Sequence, residues 1–511
     1  MSEREVGQAR TDESVPGGWA GPAWEFLLPA VAVPVRNRGV SLVAALREAI
    51  REGRLVAGTR LPASRDLAAD LGVSRGLVTE VYARLIAESY LVARPGAGTW
   101  VADVPSRAEG EPASSEAASQ PGRLAELRFP SRDPAPEITI DFRPGVPAFA
   151  LFPRAAWANA YQRAITTMPD TAFGYPDPRG MPELRAALAE LLARRRGVAV
   201  HPDGLIVCAG VSQALTLLAR VATARGHRLV AVEDPGSPPE LPLLEDSGLT
   251  AVPVPVDADG VDLRALTASG ARMFVGTPAH QFPTGIAYTP ERRAALLAWS
   301  RENDGLIVED DYDGEFRYDR APVGALQGLA PDQVVYTGSV SKSLAPGLRL
   351  GWLVPPAALL ADLVQAKRFT DLGNAAPDQA ALADFIRTGR YDQHLRRCQR
   401  TYRERRDVLR EALAKELPDV RTLGIAAGLH LIAQFPPENG SEASITARAA
   451  RAGVGLHPAQ EYATRRRVDG QSAGQDIGED AGPARIVLGY ANLTPRRITA
   501  GVEALARALR V

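Results

Sequence analysis

The stretch Ser339-Val340-Ser341-Lys342-Ser343-Leu344-Ala345-Pro346-Gly347-Leu348-Arg349 decides how the larger part of this chain is read. The sequence holds 59 Lys+Arg, yet only three are lysine: Lys342, Lys367 and Lys415. Wherever a positive charge suffices, the chain uses arginine. A guanidinium stays protonated in proteins and cannot become the neutral amine that attacks a carbonyl. A lysine kept in such a chain is therefore a candidate nucleophile. Codon bias explains the scarcity of lysine but not the company Lys342 keeps. The apolar run Val334-Val335-Tyr336-Thr337-Gly338 predicts a strand that delivers Ser339, Ser341 and Lys342 onto a short turn. Serine hydroxyls and the Arg349 guanidinium suit a phosphate dianion, with arginine as a two-point clamp. A buried lysine near other cations is a competent nucleophile, because its charged form is disfavoured.

Upstream, Leu306-Ile307-Val308 predicts another buried strand, followed at once by Glu309-Asp310-Asp311-Tyr312-Asp313. Four acids at the end of an apolar strand repel one another unless a cation sits there. A protonated pyridine ring would answer, with Tyr312 as a hydroxyl donor beside it. A metal-binding cluster or a solvated turn would answer too. Further upstream, Gly210-Val211-Ser212-Gln213-Ala214 follows the apolar run Leu205-Ile206-Val207-Cys208 and opens an apolar helix. The free N–H groups and positive dipole of a helix start favour a phosphate, which nominates Ser212 and Gln213.

The N-terminal part has a different character. Residues 1–35 are rich in Gly, Pro and Ala and give an irregular expectation. From Val40 to Gly53, Leu42, Val43, Leu46, Ala49 and Ile50 recur at helical spacing. A short helix starts at Ser64, the expected N-cap, and Gly72-Val73 turns the chain. Ser74 caps a second helix with Leu77, Val78, Val81, Tyr82, Leu85 and Ile86 on its apolar face. Helix, glycine turn and helix form a helix-turn-helix signature. Tyr90 to Arg94 and Gly98 to Val101 then predict two strands around Pro95-Gly96-Ala97, a β-wing. Between Arg36 and Val101 ten Arg stand against six Asp+Glu, a local charge of 10 − 6 = +4. Such arginines bind phosphates and fork onto guanine. Arg65, Ser74, Arg75 and Thr79 are the candidate groove contacts, with Arg94 and Gly96 at the wing. A small helical domain for protein contacts is the plainer alternative.

At 511 residues the chain exceeds what one core usually holds. Its net charge of −1 says nothing global about nucleic acid. Cys208 and Cys398 give neither metal spacing nor a disulfide framework, and no metal site is expected. The sequence offers no signal peptide and no run of about 20 apolar residues. A cytoplasmic protein is expected. Residues 103–136 predict a linker, and Arg465 to Gly482, charged and glycine-rich, a surface insertion.

Leu61-Pro62-Ala63-Ser64-Arg65-Asp66-Leu67-Ala68, Leu71-Gly72-Val73-Ser74-Arg75, Glu88-Ser89-Tyr90-Leu91 and Arg94-Pro95-Gly96-Ala97-Gly98-Thr99 together resemble the winged helix of GntR-type regulators. Ala63 stands where Ser is usual and Ser89 where Gly is usual. The Lys342 segment resembles the lysine segment of pyridoxal-phosphate (PLP) enzymes. Tyr175-Pro176-Asp177-Pro178-Arg179-Gly180, Pro278-Ala279-His280-Gln281-Phe282-Pro283-Thr284-Gly285 and the acid cluster follow in the order of fold-type I aminotransferases, from about Asp141 to Leu509. The combination resembles the MocR/GabR class of transcription regulators.

That resemblance implies a multidomain protein: an α+β winged helix-turn-helix at 36–102, the linker at 103–136, and an α/β aminotransferase-like fold with large and small subdomains at 137–511. It implies that Lys342 forms the internal aldimine with PLP. Asp310 would bind the pyridine nitrogen, though spacing leaves Asp311 open. Tyr312 would bind the phenolic oxygen, and Ser339 and Arg349, with Ser341, Ser212 and Gln213 nearby, the phosphate. Three departures bear on the ligand. Ser237 stands where a tyrosine usually stacks on the ring. Pro239 replaces an arginine used by GABA-sensing members. Val487 replaces the arginine that usually holds a substrate carboxylate. Arg485, two residues earlier on the same strand face and displaced by ~7 Å, is the candidate effector contact. The expected partners are operator DNA, PLP or an amino compound as effector, and a second copy of the chain, in a homodimer that a long linker allows to be domain-swapped. Vitamin B6 or amino-compound metabolism is the expected target. The alternative is an active aminotransferase with a DNA-binding appendage.

Overall fold

Apolar residues at helical spacing build the first of two units, Met1–Arg132 and Asp133–Val511. The computed structural model describes residues 24–103, 138–319, 323–463 and 483–510. Helix α1 (Arg38–Arg51) buries Leu42, Val43, Leu46, Ala49 and Ile50, as its period requires. Helices α2 (Ser64–Asp70) and α3 (Arg75–Ala87) flank Gly72, whose φ of +63° places it where a side chain would be strained. Strands β1 (Leu91–Arg94) and β2 (Gly98–Val101) pair antiparallel, and a hydrogen bond from Ala97 N–H to the Arg94 carbonyl at 3.0 Å closes the wing.

Two expectations need correction here. Ser64 is the first residue of α2, not its cap. The cap position is Ala63, extended at ψ 144° and with no side-chain bond to offer. The segment before residue 36 is not wholly irregular: Glu25–Leu27, Leu28–Val31 and Val35–Asn37 form short helical turns. Leu27 and Val31 enter the winged-helix core, so burial orders turns too short to show a period.

The second unit is built on a mixed sheet of β3 (Ile206–Cys208), β4 (Leu229–Asp234), β5 (Thr250–Asp257), β6 (Gly260–Val261), β7 (Met273–Gly276), β8 (Leu306–Asp310), β9 (Val334–Ser339) and β10 (Gly351–Val354). Their order is β3-β10-β9-β8-β7-β4-β5-β6. β5, β4, β7, β8 and β9 run parallel, while β10 is antiparallel to both neighbours. Helix α4 (Val211–Ala224) follows β3 and buries Leu215, Leu218 and Val221 against one sheet face. The helix Arg390–Glu416 buries a stripe of Tyr391, Leu395, Cys398, Tyr402, Leu409 and Leu413. It packs against Pro495–Arg510 and leads into a smaller antiparallel sheet. That sheet holds β11 (Arg421–Leu423), β12 (His430–Gln434), β13 (His457–Pro458) and β14 (Arg485–Gly489) in the order β11-β12-β14-β13. The expected linker beyond Asp103 and the expected insertion at Arg465 to Gly482 lie outside the described residues.

Candidate cofactor and DNA-binding sites

The parallel strands end on one edge of the large sheet, where ligands of α/β proteins bind. β8 ends in Asp310, which lines a small cleft with Glu233, Ser237, Glu240, Thr277 and Phe282. The tandem acids part company there. Asp310 borders the cavity and accepts a hydrogen bond from the Thr337 hydroxyl at 3.3 Å. Asp311 is held by Arg196 and by the Tyr336 hydroxyl at 2.6 Å. Burial pushes the Asp310 carboxyl well above the usual carboxylate range, and the Glu240 and Asp311 carboxylates add to it. Glu240 is pushed up to about 7, first by burial and then by Glu233. Lys342 offsets only part of the rise in these two carboxylates, and a cationic ring would relieve both further.

β9 ends in Ser339, whose hydroxyl accepts the Ser341 N–H at 3.3 Å. The Lys342 ammonium on the turn beyond donates to the Gly145 carbonyl at 2.6 Å. Arg349, exposed and left-handed at φ +51°, donates to the Ala209 carbonyl. Gly210, at φ +92°, caps α4 beside it, and a Cβ there would come within 3.0 Å of the Arg349 guanidinium. A glycine-opened helix start, two serines and a guanidinium are the donor set that a phosphate ester needs, and an amine and a buried carboxylate complete the fit to PLP. Gln213 is drawn elsewhere: its Oε1 accepts the Ala209 N–H at 2.8 Å and its Nε2 donates to Asp371 at 2.7 Å. Ser212 is exposed on the first turn of α4. Arg485 is exposed at the start of β14, outside the cavity lining, while Val487 is buried.

Sequence reasoning passed over several neighbours. Phe282 lines the cavity and meets Tyr312, His430 and Tyr462 edge-on, with ring centroids 6.1, 5.2 and 5.1 Å apart. It offers the aromatic surface that Ser237 lacks. His280 lies 3.0 Å from the Tyr312 hydroxyl. Both were in the quoted 278–285 stretch, but nothing local said which of its residues turn inward. Glu240 was missed because a single acid on a Pro-rich turn carries no pattern.

On the winged helix, Ser74 caps α3 by accepting the Leu77 N–H at 3.3 Å. Arg65, Arg75, Thr79, Arg94 and Gly96 are all exposed. Thr79 spends its hydroxyl proton on the Arg75 carbonyl at 2.9 Å. Arg94 and Arg60 both lie over the Trp100 ring, 5.2 and 5.7 Å from its centroid. Arg60 was not foreseen, since it sits outside the helices. Stacking on one indole aligns two guanidiniums at the wing.

Residues 137–503 match the family described as aminotransferase class I and II, and residues 39–101 the bacterial regulatory proteins of the gntR family. The probable rhizopine catabolism regulatory protein MocR of Rhizobium meliloti is 35% identical over 466 residues, which cover 90% of this chain and 91% of that one. The chain belongs to the MocR family. The HTH-type pyridoxine biosynthesis transcriptional regulator PdxR of Corynebacterium glutamicum is 33% identical over 387 residues, 76% of this chain and 81% of that one. LysN, the alpha-aminoadipate aminotransferase of Thermus thermophilus, solved with N-(5'-phosphopyridoxyl)-L-leucine, is 28% identical with a TM-score of 0.62 over 73% of this chain and 92% of that one. As a MocR-type protein the chain is a transcription regulator, with a GntR-type DNA-binding domain joined to the fold-type I aminotransferase fold of PLP proteins. Among the described residues, no single helix is long and apolar enough to cross a membrane.

Proposed function

We propose that this is a cytoplasmic, homodimeric regulator that binds PLP at Lys342 and adjusts its hold on operator DNA to PLP or to an amino compound. The winged helix at 36–102 reads DNA, 103–136 links, and 137–511 senses. One observation carries the reading: of two adjacent acids, Asp310 alone borders the cleft, where burial raises its carboxyl and the charge of Lys342 on the neighbouring turn offsets only part of that rise. Bound there, PLP supplies an aldehyde that condenses with amines. Lys342 holds the aldehyde, Asp310 the ring nitrogen and Tyr312 the phenolic oxygen. Ser339, Ser341 and Arg349 hold the phosphate. Phe282 covers the ring, and Gln213 braces the start of α4 rather than touching the ligand. On the winged helix, Arg65, Ser74, Arg75, Thr79, Arg94 and Gly96 face DNA.

An exposed apolar patch supports the dimer. Tyr175 is 90% exposed and Phe173 59%, and Leu372 lies beside Gly373, which packs on Pro176. A patch of this kind marks an interaction surface. The names of the relatives PdxR and MocR support vitamin B6 or amino-compound metabolism as the target.

The test is an absorbance spectrum of the full chain with PLP, wild type beside Lys342→Ala, followed by selection of bound duplexes from random DNA with and without PLP. The expected result is a visible band, lost in the variant, and one enriched sequence whose retention depends on PLP. No band in the wild type overturns the reading. The second reading, a working aminotransferase, is favoured by the intact Lys342, Asp310 and Tyr312. Steady turnover of an amino acid with a keto acid would establish it.

A further inference from the structure

Behind Tyr312 lies a buried polar group to which the cofactor reading gives no task. Asp313, 2% exposed, brings Oδ2 to 2.9 Å from Nδ1 of His280, which is 3% exposed. The Tyr312 hydroxyl lies 3.0 Å from that same nitrogen, and the two rings stack with centroids 6.0 Å apart. Gly428 closes the cluster: a Cβ there would strike His280 Cε1 at 2.2 Å and Asp313 Oδ2 at 2.6 Å. His280 and Asp313 are therefore closely packed.

One ring nitrogen faces both a carboxylate and a phenol. It carries at most one proton, and a carboxylate oxygen is an acceptor for it. The 2.9 Å contact is made by the tautomer that carries its proton on Nδ1 and donates to Asp313. In that tautomer it cannot accept from Tyr312, so the phenol proton goes to an oxygen acceptor: the Asp313 carboxylate, or the cofactor's 3-oxygen when the cofactor is bound.

We propose that Asp313 and His280 are positioning residues for Tyr312, which keep its hydroxyl a donor toward the 3-oxygen of the cofactor. The inference rests on the cofactor reading above. The surrounding groups agree with it. Burial, then Asp313 through its charge and a side-chain hydrogen bond, and then Asp310 and Glu233 push the Tyr312 phenol well up, so it remains protonated. His430 packs on His280 with centroids 5.4 Å apart and is pushed down to about 3 by burial, so it stays neutral. On the far side Asp313 faces Tyr318 and Tyr490, both phenols raised mainly by burial. The Lys342 ammonium is the nearby cation.

A donor to the 3-oxygen stabilises it as phenolate. That lowers the pH at which the visible absorbance of the Lys342-bound cofactor changes. An asparagine at 313 lets Nδ1 lose its proton and take that of Tyr312. The test is a pH titration of that absorbance in the full-length PLP-loaded protein: wild type, Asp313→Asn, Tyr312→Phe and the double variant. Asp313→Asn is expected to raise the midpoint by about one pH unit. Tyr312→Phe raises it at least as far, and the double variant no further. Losing a negative charge alone would move the midpoint down, so a downward or absent shift overturns the proposal. His280→Gln changes no charge and is also expected to raise the midpoint. Should Asp313→Asn fail to fold, His280→Gln decides by the same rule. A wild type without a band overturns the cofactor reading and this inference together. A titrating wild type with unshifted variants overturns the inference alone.

Discussion

Arg196 holds Asp311 at two points, Nε to Oδ2 at 2.5 Å and Nη2 to Oδ1 at 3.0 Å, with both side chains at most 3% exposed. This pair splits the work of two adjacent acids. Asp311 locks the sheet to the helix Pro182–Arg196, and Asp310 is left to the cavity.

The two acids should therefore fail differently. Asp311→Ala strands a buried guanidinium and should cost about 3–5 kcal/mol of stability in denaturant unfolding. Asp310→Asn removes a carboxyl that burial already disfavours, so the unfolding midpoint should hold or rise while the visible PLP band is lost. Equal destabilisation by both would refute this division.

Glu309, fully buried on β8, gives a pH prediction. Its Oε2 accepts the Gln327 N–H at 3.3 Å, and its Oε1 has no hydrogen-bond partner among the described residues. Burial first, then the Asp311 carboxylate, pushes it up to about 7 from 4.5. A folded pKa above the unfolded one favours the fold while the group is protonated. That contribution is whole below the unfolded value and is lost as pH rises through about 7. Glu309→Gln should thus exceed the wild type by about 1–3 kcal/mol at pH 8, with the gap shrinking toward pH 5. Urea unfolding at several pH values checks this, and a gap that does not vary with pH would contradict it.

Ala63 occupies the N-cap of α2 with extended backbone and no capping side chain. Ala63→Ser supplies a hydroxyl for the free N–H groups of the first turn. It should stabilise the winged helix by about 1 kcal/mol, read as a higher melting temperature of its transition in the full chain.

Arg75 and Arg94 are exposed, one at the start of α3 and one at the wing. If each meets a phosphate, Arg75→Ala and Arg94→Ala should each lower the salt slope of DNA binding by about one. An affinity loss confined to one base position would instead mark that arginine as a base reader.

Much of this was legible in the chain. The spacing of Leu42, Val43, Leu46, Ala49 and Ile50 sets the buried face of α1, because helix period and burial are the same fact read twice. Ser74 announced its cap, since a hydroxyl ahead of an apolar period has few better uses. The strands that end at Asp310 and at Ser339, three residues before Lys342, were visible as apolar runs. Ser64 misled by one residue, because a cap is defined by backbone angles and not by side-chain type.

Local period and turn chemistry act within a few residues, so the helices, the apolar strands and the residue types on each turn could be read from the chain alone. Tertiary structure decided which of those residues face one another. Arg196, 115 residues before Asp311, chose between two adjacent acids. Asp371, 158 residues after Gln213, accepts from that side chain's amide. His280 and Asp313, 33 residues apart, met at Tyr312. Such pairings depend on how layers pack, and packing brings together side chains that no local pattern connects.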